Sequence, residues 1–368
     1  MSDSLRIAFT KQEVYQDLYV CSHDEKSSKE ILFSSSGRVG PIGLIHELGA
    51  DFYILKEEPD RETQAYRKVV PQIKDDVRLL KTETLDKLPG QGFKRPGSRY
   101  PNGKFSVSCY DVDWQKYDIV ISLNVCIPRK LVKQFGDTLF CYMIGEANLA
   151  TEKVKFGYDV TLNQMARGLV AEKMGAVDFP YTFVRGDTLE KIMFSALGEK
   201  PEKSGIYAEV NTSKERPVRE MPPQFEVIGK ETNTEIRLHE QLISKNLEAI
   251  YRSKYFVKLG GRKIRGNSIV EAISLGTLVL MDPAEVTHDE VLPDRCEVRS
   301  AEEIIRIIQR LDSDPAEYRE LLNEQRELVN RYMYDAPLES LVNCLRDKRG
   351  PKPNFLSRIM GWPTESRR

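Results

Sequence analysis

Short apolar runs alternate along the chain with segments in which apolar residues recur at helical spacing. In the first half these runs are rich in β-branched and aromatic residues, which is typical of buried strands. Four strands are predicted there, at Leu5–Thr10, Asp51–Leu55, Tyr117–Ser122 and Thr138–Ile144, and a glycine-rich turn at 36–40 leads into a helix over Ile42–Leu48. This alternation predicts βα units stacked around a parallel sheet.

The second half repeats the alternation. Strands are predicted at Ile206–Val210, Phe225–Ile228, Tyr255–Leu259 and Thr277–Met281, and helices at 244–252, Ile269–Leu275, Ala301–Leu311 and Pro315–Tyr332. Ser268 is placed to cap the helix that stops at Gly276. A polar stretch at 198–204 separates the halves. The sequence therefore predicts the α/β class with two Rossmann-like domains, residues 1–198 and 199–345, and a basic C-terminal tail over 346–368.

Size and charge narrow the class of protein. The chain of 368 residues exceeds one ordinary core and fits two domains. With 55 basic and 56 acidic side chains it lacks the excess positive charge of nucleic-acid binders, so no nucleic-acid partner is expected. The six cysteines are scattered without C-x-x-C spacing, and neither a leader pattern nor a long apolar run is visible. These features predict a cytoplasmic protein with reduced thiols.

Residues 253–282, SKYFVKLGGRKIRGNSIVEAISLGTLVLMD, carry the strongest chemical signal. A strand ends, a loop of glycines and cations follows, and a helix begins, whose first backbone N–H groups can bind phosphate. The glycines permit close approach of a diphosphate, the cations neutralise it, and a carboxylate early in the helix can accept hydrogen bonds from ribose hydroxyls. The predicted nucleotide-binding residues are Gly260, Gly261, Arg262, Lys263, Arg265, Gly266, Asn267, Ser268 and Glu271. The alternative is a basic surface loop in which Glu271 only complements the helix dipole.

The order of elements around this loop resembles the C-terminal domain of GT-B glycosyltransferases over residues 236–345. In that family a helix and a strand precede a glycine-rich loop, and the next helix bears Glu-Ala with a Gly four residues after the Ala. The matching pieces here are 244–251, 255–259, 260–267, and Glu271-Ala272 with Gly276, followed by the apolar strand 278–280. The resemblance implies two Rossmann-like domains that face a cleft, with 1–198 on the acceptor side and 199–345 binding a nucleoside diphosphate sugar.

The resemblance also points to residues outside the loop. Lys214 or Arg216 matches a family cation that touches the donor diphosphate, and His239 lies where the family grips the nucleobase. On the acceptor side, His46 follows a turn that resembles the family's N-terminal glycine-rich turn. It is a candidate base, and the alternative is a packed or surface histidine. Glu146 follows an apolar strand, where parallel sheets present functional groups, and is a candidate to deprotonate an acceptor hydroxyl.

One position departs from the family. Many retaining members carry a glutamate at the position of Lys263 as well as at that of Glu271. A cation cannot perform the role of that first glutamate, so inversion or another set of donor contacts is left open. Two other functions are also left open: a nucleotide-sugar epimerase of GT-B shape, and a catalytically inactive nucleotide-sugar-binding protein.

The reaction implied by the resemblance is transfer of a sugar to a hydroxyl of a glycan or lipid-linked acceptor, as in polysaccharide biosynthesis. No cofactor is expected, and no metal, because the one Asp-x-Asp triplet, at 111–113, lies outside the resemblance. The tail over 346–368 has seven Lys or Arg and two acidic residues, with Phe355 and Trp362 interleaved. That pattern suits either packing against the first domain or peripheral contact with an anionic membrane.

Overall fold

The structure is a computed structural model that describes most of the second half of the chain and separate stretches of the first. The described residues are 5–12, 18–22, 30–34, 42–55, 79–80, 106–123, 127–144, 157–163, 177–210, 221–239, 243–260, 264, 266–286 and 290–350.

Residues of the first half form a parallel sheet and a separate hairpin. The strands are β1 (Ile7–Gln12), β2 (Leu18–Ser22), β3 (Glu30–Ser34), β4 (Asp51–Leu55), β5 (Leu79–Leu80), β6 (Ser106–Val107), β7 (Ile119–Leu123), β8 (Leu139–Ile144), β9 (Val160–Asn163) and β10 (Val177–Asp178). The sheet has the order β10-β9-β8-β7-β1-β4-β5, with β6 also paired to β4, while β2 and β3 form the hairpin. Only the β4–β5 pairing within the sheet is antiparallel among the described strands. The strand order therefore reverses at β1, which lies between β4 and β7.

Residues of the second half form a smaller sheet. Its strands are β11 (Ile206–Glu209), β12 (Ile236–Arg237), β13 (Tyr255–Lys258) and β14 (Leu278–Met281). They follow the order β12-β11-β13-β14, and all three pairings are parallel. The order reverses at β11. Two parallel sheets of this kind confirm the predicted α/β class with Rossmann-like topology.

The helices cover these sheets. They are α1 (Ile42–Leu48), α2 (Arg129–Gln134), α3 (Thr188–Leu197), α4 (Pro223–Thr232), α5 (Ile243–Arg252), α6 (Asn267–Ser274), α7 (Ala301–Ser313), α8 (Pro315–Val329) and α9 (Ala336–Arg349), with a π-helical turn, Asn330–Asp335, between the last two. Helix α4 packs on α7, and α6 packs on α8 and β14. Every residue of β7, β11, β13 and β14 is buried, which explains why these strands are mostly apolar, with Ser122, Glu209 and Lys258 as the polar exceptions.

The prediction of a strand at Phe225–Ile228 is wrong. These residues lie in α4, where Phe225 and Ile228, three positions apart, are both fully buried on one helical face. Pro222 and Pro223 begin the helix, where proline is tolerated because the first N–H groups have no intrahelical acceptor. The strand that pairs with β11 comes later, as β12, and both its residues are only half-buried.

Helix α1 lies against the backbone near residue 183. A Cβ atom on Gly43 would overlap the carbonyl group of Phe183 and come close to Val184. Because only glycine fits this approach, Gly43 is a packing requirement of the first half rather than a sign of a flexible turn.

Helix α3 connects the two halves through several contacts. Glu190 on α3 forms ion pairs with Arg326 on α8 and, at 2.7 Å, with Lys200 in the linker. The Leu189 amide donates to Ser274 Oγ at 3.0 Å, at the end of α6. A Cβ atom on Gly276 would lie 2.7 Å from the Arg326 guanidinium, so this glycine makes room for the Glu190–Arg326 pair.

The linker also contributes a buried cation. Lys203 donates from its ammonium to the carbonyls of Tyr251, at 2.5 Å, and Leu275, at 2.9 Å, and to Thr277 Oγ1 at 3.1 Å. Burial lowers the pKa of Lys203 to about 7. The linker is therefore fixed to the amino ends of the second sheet rather than merely connecting the halves.

The end of α9 lies on the first half of the chain. Lys348 Nζ pairs with Asp159 at 2.6 Å and donates to the Thr138 carbonyl at 2.7 Å, and Arg349 pairs with Asp118 at 2.9 Å. The first residues of the predicted tail thus pack on the first half, while 351–368 lie outside the described residues. Within the described ranges, no helix has the length and apolar character required to cross a bilayer.

Candidate functional site

The predicted phosphate-binding loop begins at the carboxyl end of β13. In parallel sheets, ligands bind at this edge where the strand order reverses. In the second sheet the order reverses between β11 and β13, which pair in register from Ile206 with Tyr255 to Glu209 with Lys258. The chain leaving β13 enters residues 260–266, here called the candidate loop, and α6 begins directly after it. The candidate loop thus starts at the topological switch point of the second sheet.

Glu285 holds the described residues of the candidate loop. Its Oε1 accepts a hydrogen bond from the Gly260 amide at 2.7 Å, and its Oε2 pairs with Lys258 Nζ at 2.7 Å. The Glu285 carbonyl accepts from the Ile264 amide at 2.9 Å, and Ile264 forms a parallel bridge with Val286. Neither Lys258 nor Glu285 was predicted from the sequence. The available signal was a lysine at the end of an otherwise apolar strand, since charges there are rarely fully buried unless paired.

Helix α6 starts earlier than predicted. It begins at Asn267, and Gly266, with a left-handed φ of 106°, occupies the capping position, so Ser268 is not the N-cap. The Ile269 and Val270 amides donate to the Gly266 carbonyl at 3.0 and 3.1 Å. A left-handed N-cap strongly favours glycine, which explains Gly266. Asn267 and Ser268 lie in the first turn of α6, where the backbone N–H groups point towards the N-terminal end of the helix.

Two acidic side chains near the switch point are buried. Glu209 ends β11 and is 1% exposed, and Glu271 in α6 is 0% exposed. Glu271 therefore cannot serve as a solvated surface charge on the helix dipole. Because protein atoms cover it completely, a ribose can reach its carboxylate only if the covering groups move.

His239 follows β12 at the same edge of the sheet. Its Nδ1 lies 3.1 Å from the Tyr207 hydroxyl, which in turn donates to Asn246 Oδ1 at 2.7 Å. Since the tyrosine proton goes to Asn246, the Tyr207 oxygen is available as an acceptor to Nδ1 of His239. The Tyr207 ring stacks on Phe256 with centroids 5.2 Å apart. The half-buried imidazole is thus held by a buried neighbour.

Several predicted site residues fall outside the described residues. These are Gly261, Arg262, Lys263 and Arg265 in the candidate loop, Lys214 and Arg216 after β11, and Glu146 after β8. His46 lies in α1, as predicted, but its side chain is not among those described. Gly266, Asn267, Ser268 and Glu271 lie at or within α6, whereas Gly260 lies just after β13 and contacts Lys258 and Glu285. The roles of all these residues stay predictions.

The first sheet has its own polar cluster near its switch point. Thr10 on β1 donates to Ser122 on β7 at 2.8 Å, and both side chains are fully buried. The Tyr158 hydroxyl donates to Ser122 Oγ at 3.1 Å and accepts from the Ile127 amide at 2.7 Å. The sequence analysis missed this cluster. It fixes the chain on either side of residues 124–126 near the carboxyl end of β7.

Metal-binding side chains do not gather in the described part of the chain. No group of three His, Cys, Asp or Glu residues is found there that could hold a metal ion. Asp111 and Asp113, the two acidic residues of the Asp-x-Asp triplet, are both exposed.

Comparisons with known proteins give structural likenesses only. No protein-family model and no curated protein matches the sequence. A crystal structure of the DNA modifying enzyme β-glucosyltransferase, studied with and without uridine diphosphoglucose, is 13% identical and covers 94% of this chain and 99% of its own, with a TM-score of 0.41. T4 phage BGT in complex with UDP and Mn²⁺ is 12% identical, with coverages of 94% and 99% and a TM-score of 0.42. Sucrose-phosphate synthase from Thermosynechococcus elongatus is 12% identical, with coverages of 94% and 98% and a TM-score of 0.38.

At TM-scores below 0.5 the likeness supports nothing about this chain's substrates or mechanism. The function is therefore inferred from the residues and geometry of the chain itself.

Proposed function

We propose that this protein is a glycosyltransferase that moves a sugar from a nucleoside diphosphate sugar to an acceptor hydroxyl. The observation that carries the proposal is the position of the candidate loop. It leaves β13 at the switch point of the second sheet and leads into the N-terminus of α6. Its Gly-Gly-Arg-Lys-Ile-Arg-Gly sequence combines glycines with three cations, which suits a diphosphate.

In the proposed reaction the acceptor oxygen attacks the anomeric carbon as the bond from that carbon to the diphosphate oxygen breaks. The bonding pair leaves with the nucleoside diphosphate, and the acceptor proton goes to a general base, for which Glu146 is the candidate. The α6 amides and the cations Arg262, Lys263 and Arg265 stabilise the negative charge that develops on the leaving group. Lys214 or Arg216 adds a further charge from the loop after β11.

The nucleoside is assigned to the neighbouring edge of the sheet. His239, which Tyr207 contacts after β12, lies where the GT-B family grips the nucleobase, and we assign it that contact here. Glu271 would bind the ribose hydroxyls after the groups that cover it move. A glycan or lipid-linked hydroxyl is the proposed acceptor, and the tail over 351–368 is the segment that would bring the enzyme to a membrane.

The first test is ligand binding. Wild-type protein is screened by thermal shift against UDP, GDP and ADP and their sugar conjugates, because a ligand that binds the native state raises its melting temperature. Arg265→Ala should weaken diphosphate binding by about 1–3 kcal/mol, the scale of a charged hydrogen bond. Unchanged calorimetric affinity in R262A, K263A and R265A would refute the loop assignment.

The second test is product analysis. Donor is incubated with glycans, lipid-linked sugars and duplex DNA, and sugar transfer to any of them supports a transferase and identifies its acceptor class. Lys263, at the position of the family's glutamate, favours a second candidate, a nucleotide-sugar-binding protein without catalysis. Binding with no product would select that candidate, and donor conversion without an acceptor would select an epimerase.

A further inference from the structure

A buried ammonium marks the entrance to the candidate loop. Lys258 is the last residue of β13, pairs in register with Glu209 on β11, and has a side chain with 0% exposed surface. Its Nζ binds Glu285 Oε2 at 2.7 Å and donates to the Gly260 carbonyl. A buried lysine needs a counter-charge and acceptors for its three N–H groups, so this side chain is committed to Glu285 and the loop backbone.

Glu285 reaches both described ends of the 260–264 segment. Its side chain accepts from the Gly260 amide at 2.7 Å, and its main chain accepts from the Ile264 amide at 2.9 Å. Residues 261–263, which contain Arg262 and Lys263, are thus spanned by anchors from a single residue. Glu285 lies in a 3-10 turn, Pro283–Glu285, directly after β14, so the anchor is attached to the sheet and not to another loop.

We propose that Lys258 and Glu285 form a positioning pair that fixes Gly260 and Ile264, two described residues of the candidate loop, for binding of a phosphate group. This inference rests on the proposed function for its ligand and extends it to two residues that do not touch the ligand. The ammonium fixes the carboxylate, the carboxylate fixes Gly260, and the main-chain carbonyl of Glu285 binds the Ile264 amide. A site that is held in its binding geometry before the ligand arrives does not lose affinity to ordering the loop.

The chain offers a matched control at the opposite end of the same strand. Lys254, directly before β13, pairs with Asp312 at 2.5 Å, and Asp312 also accepts from the Tyr255 hydroxyl at 2.7 Å. Both pairs join a lysine of this strand region to a carboxylate elsewhere in the second half. Only the Lys258–Glu285 pair contacts the candidate loop.

The loop itself is tested without ligand, by amide hydrogen exchange of full-length protein. Lys258→Met with Glu285→Met removes the pair without leaving a lone buried charge, and Lys254→Met with Asp312→Met removes the control pair. We expect faster exchange at 260–266 in the first double variant only. Equal exchange in the two double variants overturns the proposal. If the first variant does not fold, Glu285→Gln is compared with Asp312→Asn; it keeps an oxygen for the Gly260 amide but removes the counter-charge of Lys258, and faster exchange at 260–266 is again expected in the Glu285 variant only.

Affinity then links the pair to the proposed function. The tightest of UDP, GDP and ADP for the wild type is titrated by calorimetry into each variant. We expect the K258M/E285M variant to bind about 10- to 100-fold more weakly, the scale of losing groups that orient a binding residue, and the control to bind normally. If K258M/E285M binds the nucleotide as tightly as the wild type does, the positioning role is overturned. Absence of wild-type binding to any of the three refutes the proposed function instead, and altered exchange at 260–266 would still support the anchoring of the loop.

Discussion

Gln325 offers a sharp test of how the second half is held together. It lies on α8 with no exposed surface, and its side-chain amide bonds both backbone groups of Val279 on β14. The Val279 amide donates to Gln325 Oε1 at 3.0 Å, and Gln325 Nε2 donates to the Val279 carbonyl at 2.7 Å. Since β14 ends the described sheet, the glutamine takes the place of a neighbouring strand.

The expected loss of stability on substitution follows from these two hydrogen bonds. Gln325→Leu keeps the size of the side chain but leaves a buried N–H and a buried C=O without that partner, at about 1–3 kcal/mol each. The added apolar surface offsets only part of this loss, so we expect a net destabilisation of roughly 2–5 kcal/mol. A change of 1 kcal/mol shifts the Tm of a domain of this size by roughly 2–4 °C, so the melting temperature should fall by at least about 4 °C.

The assay is scanning calorimetry with a second glutamine as the control. Gln309 on α7 donates to the Glu231 carbonyl at 3.2 Å from an exposed position, and Gln309→Leu should change the melting temperature little. If Q325L melts at the same temperature as Q309L, the assigned role of Gln325 is refuted.

Four further outcomes are expected. Gly43→Ala should lower the Tm by the equivalent of about 1–3 kcal/mol or more through overlap with the Phe183 carbonyl, whereas Gly136→Ala, which has open space, should not. Glu271→Gln should weaken nucleoside diphosphate binding in calorimetry, because charged hydrogen bonds are about twice as strong as neutral ones. If the affinity is normal and only the Tm changes, the role of Glu271 is purely structural. Between pH 7 and 10.5 the side chain of Lys203 is protonated in the unfolded chain but not in the folded protein. The wild type should therefore gain stability relative to Lys203→Met as the pH rises through this window. If the Tm of both proteins changes with pH in the same way, this prediction is contradicted. Deleting 351–368 should lower the Tm if the tail packs, or abolish liposome binding with the Tm unchanged if it contacts membranes; no change in either refutes both.

The sequence predicted the parallel sheets well because buried parallel strands read as apolar runs. Asp51–Leu55 and Ile42–Leu48 have the predicted bounds, and most other predicted elements differ only at their ends. The error at Phe225–Ile228 came from four residues whose apolar positions fit either period. The hairpin of β2 and β3 and the strands β9 and β10 were missed, since each has at most five residues and strand propensity depends strongly on packing context.

The glycines, the cations and the helix start of the candidate site are local features of the sequence, whereas the residues that hold them are not. Gly260, Gly266 and the start of α6 follow β13 at the switch point, and the cations lie outside the described residues, so the binding role of the loop stays a prediction. Glu285 was missed because its contact with Lys258 joins residues far apart in sequence, and no local pattern encodes that pairing. The position of the α6 start was wrong because a left-handed glycine, rather than a serine side chain, occupies the cap.

The return of α9 to the first half has a practical consequence for dissecting the protein. A protease that cuts the linker near residue 201 would not release two fragments, because Lys348 and Arg349 still bind Asp159 and Asp118. The nicked chain would migrate as two bands in denaturing gels and as one particle in gel filtration. A recombinant second half that stops before these residues would lose the Lys348 and Arg349 pairs, although the Glu190–Arg326 and Leu189–Ser274 contacts would remain. The two halves are therefore better studied as a co-expressed pair divided at the linker.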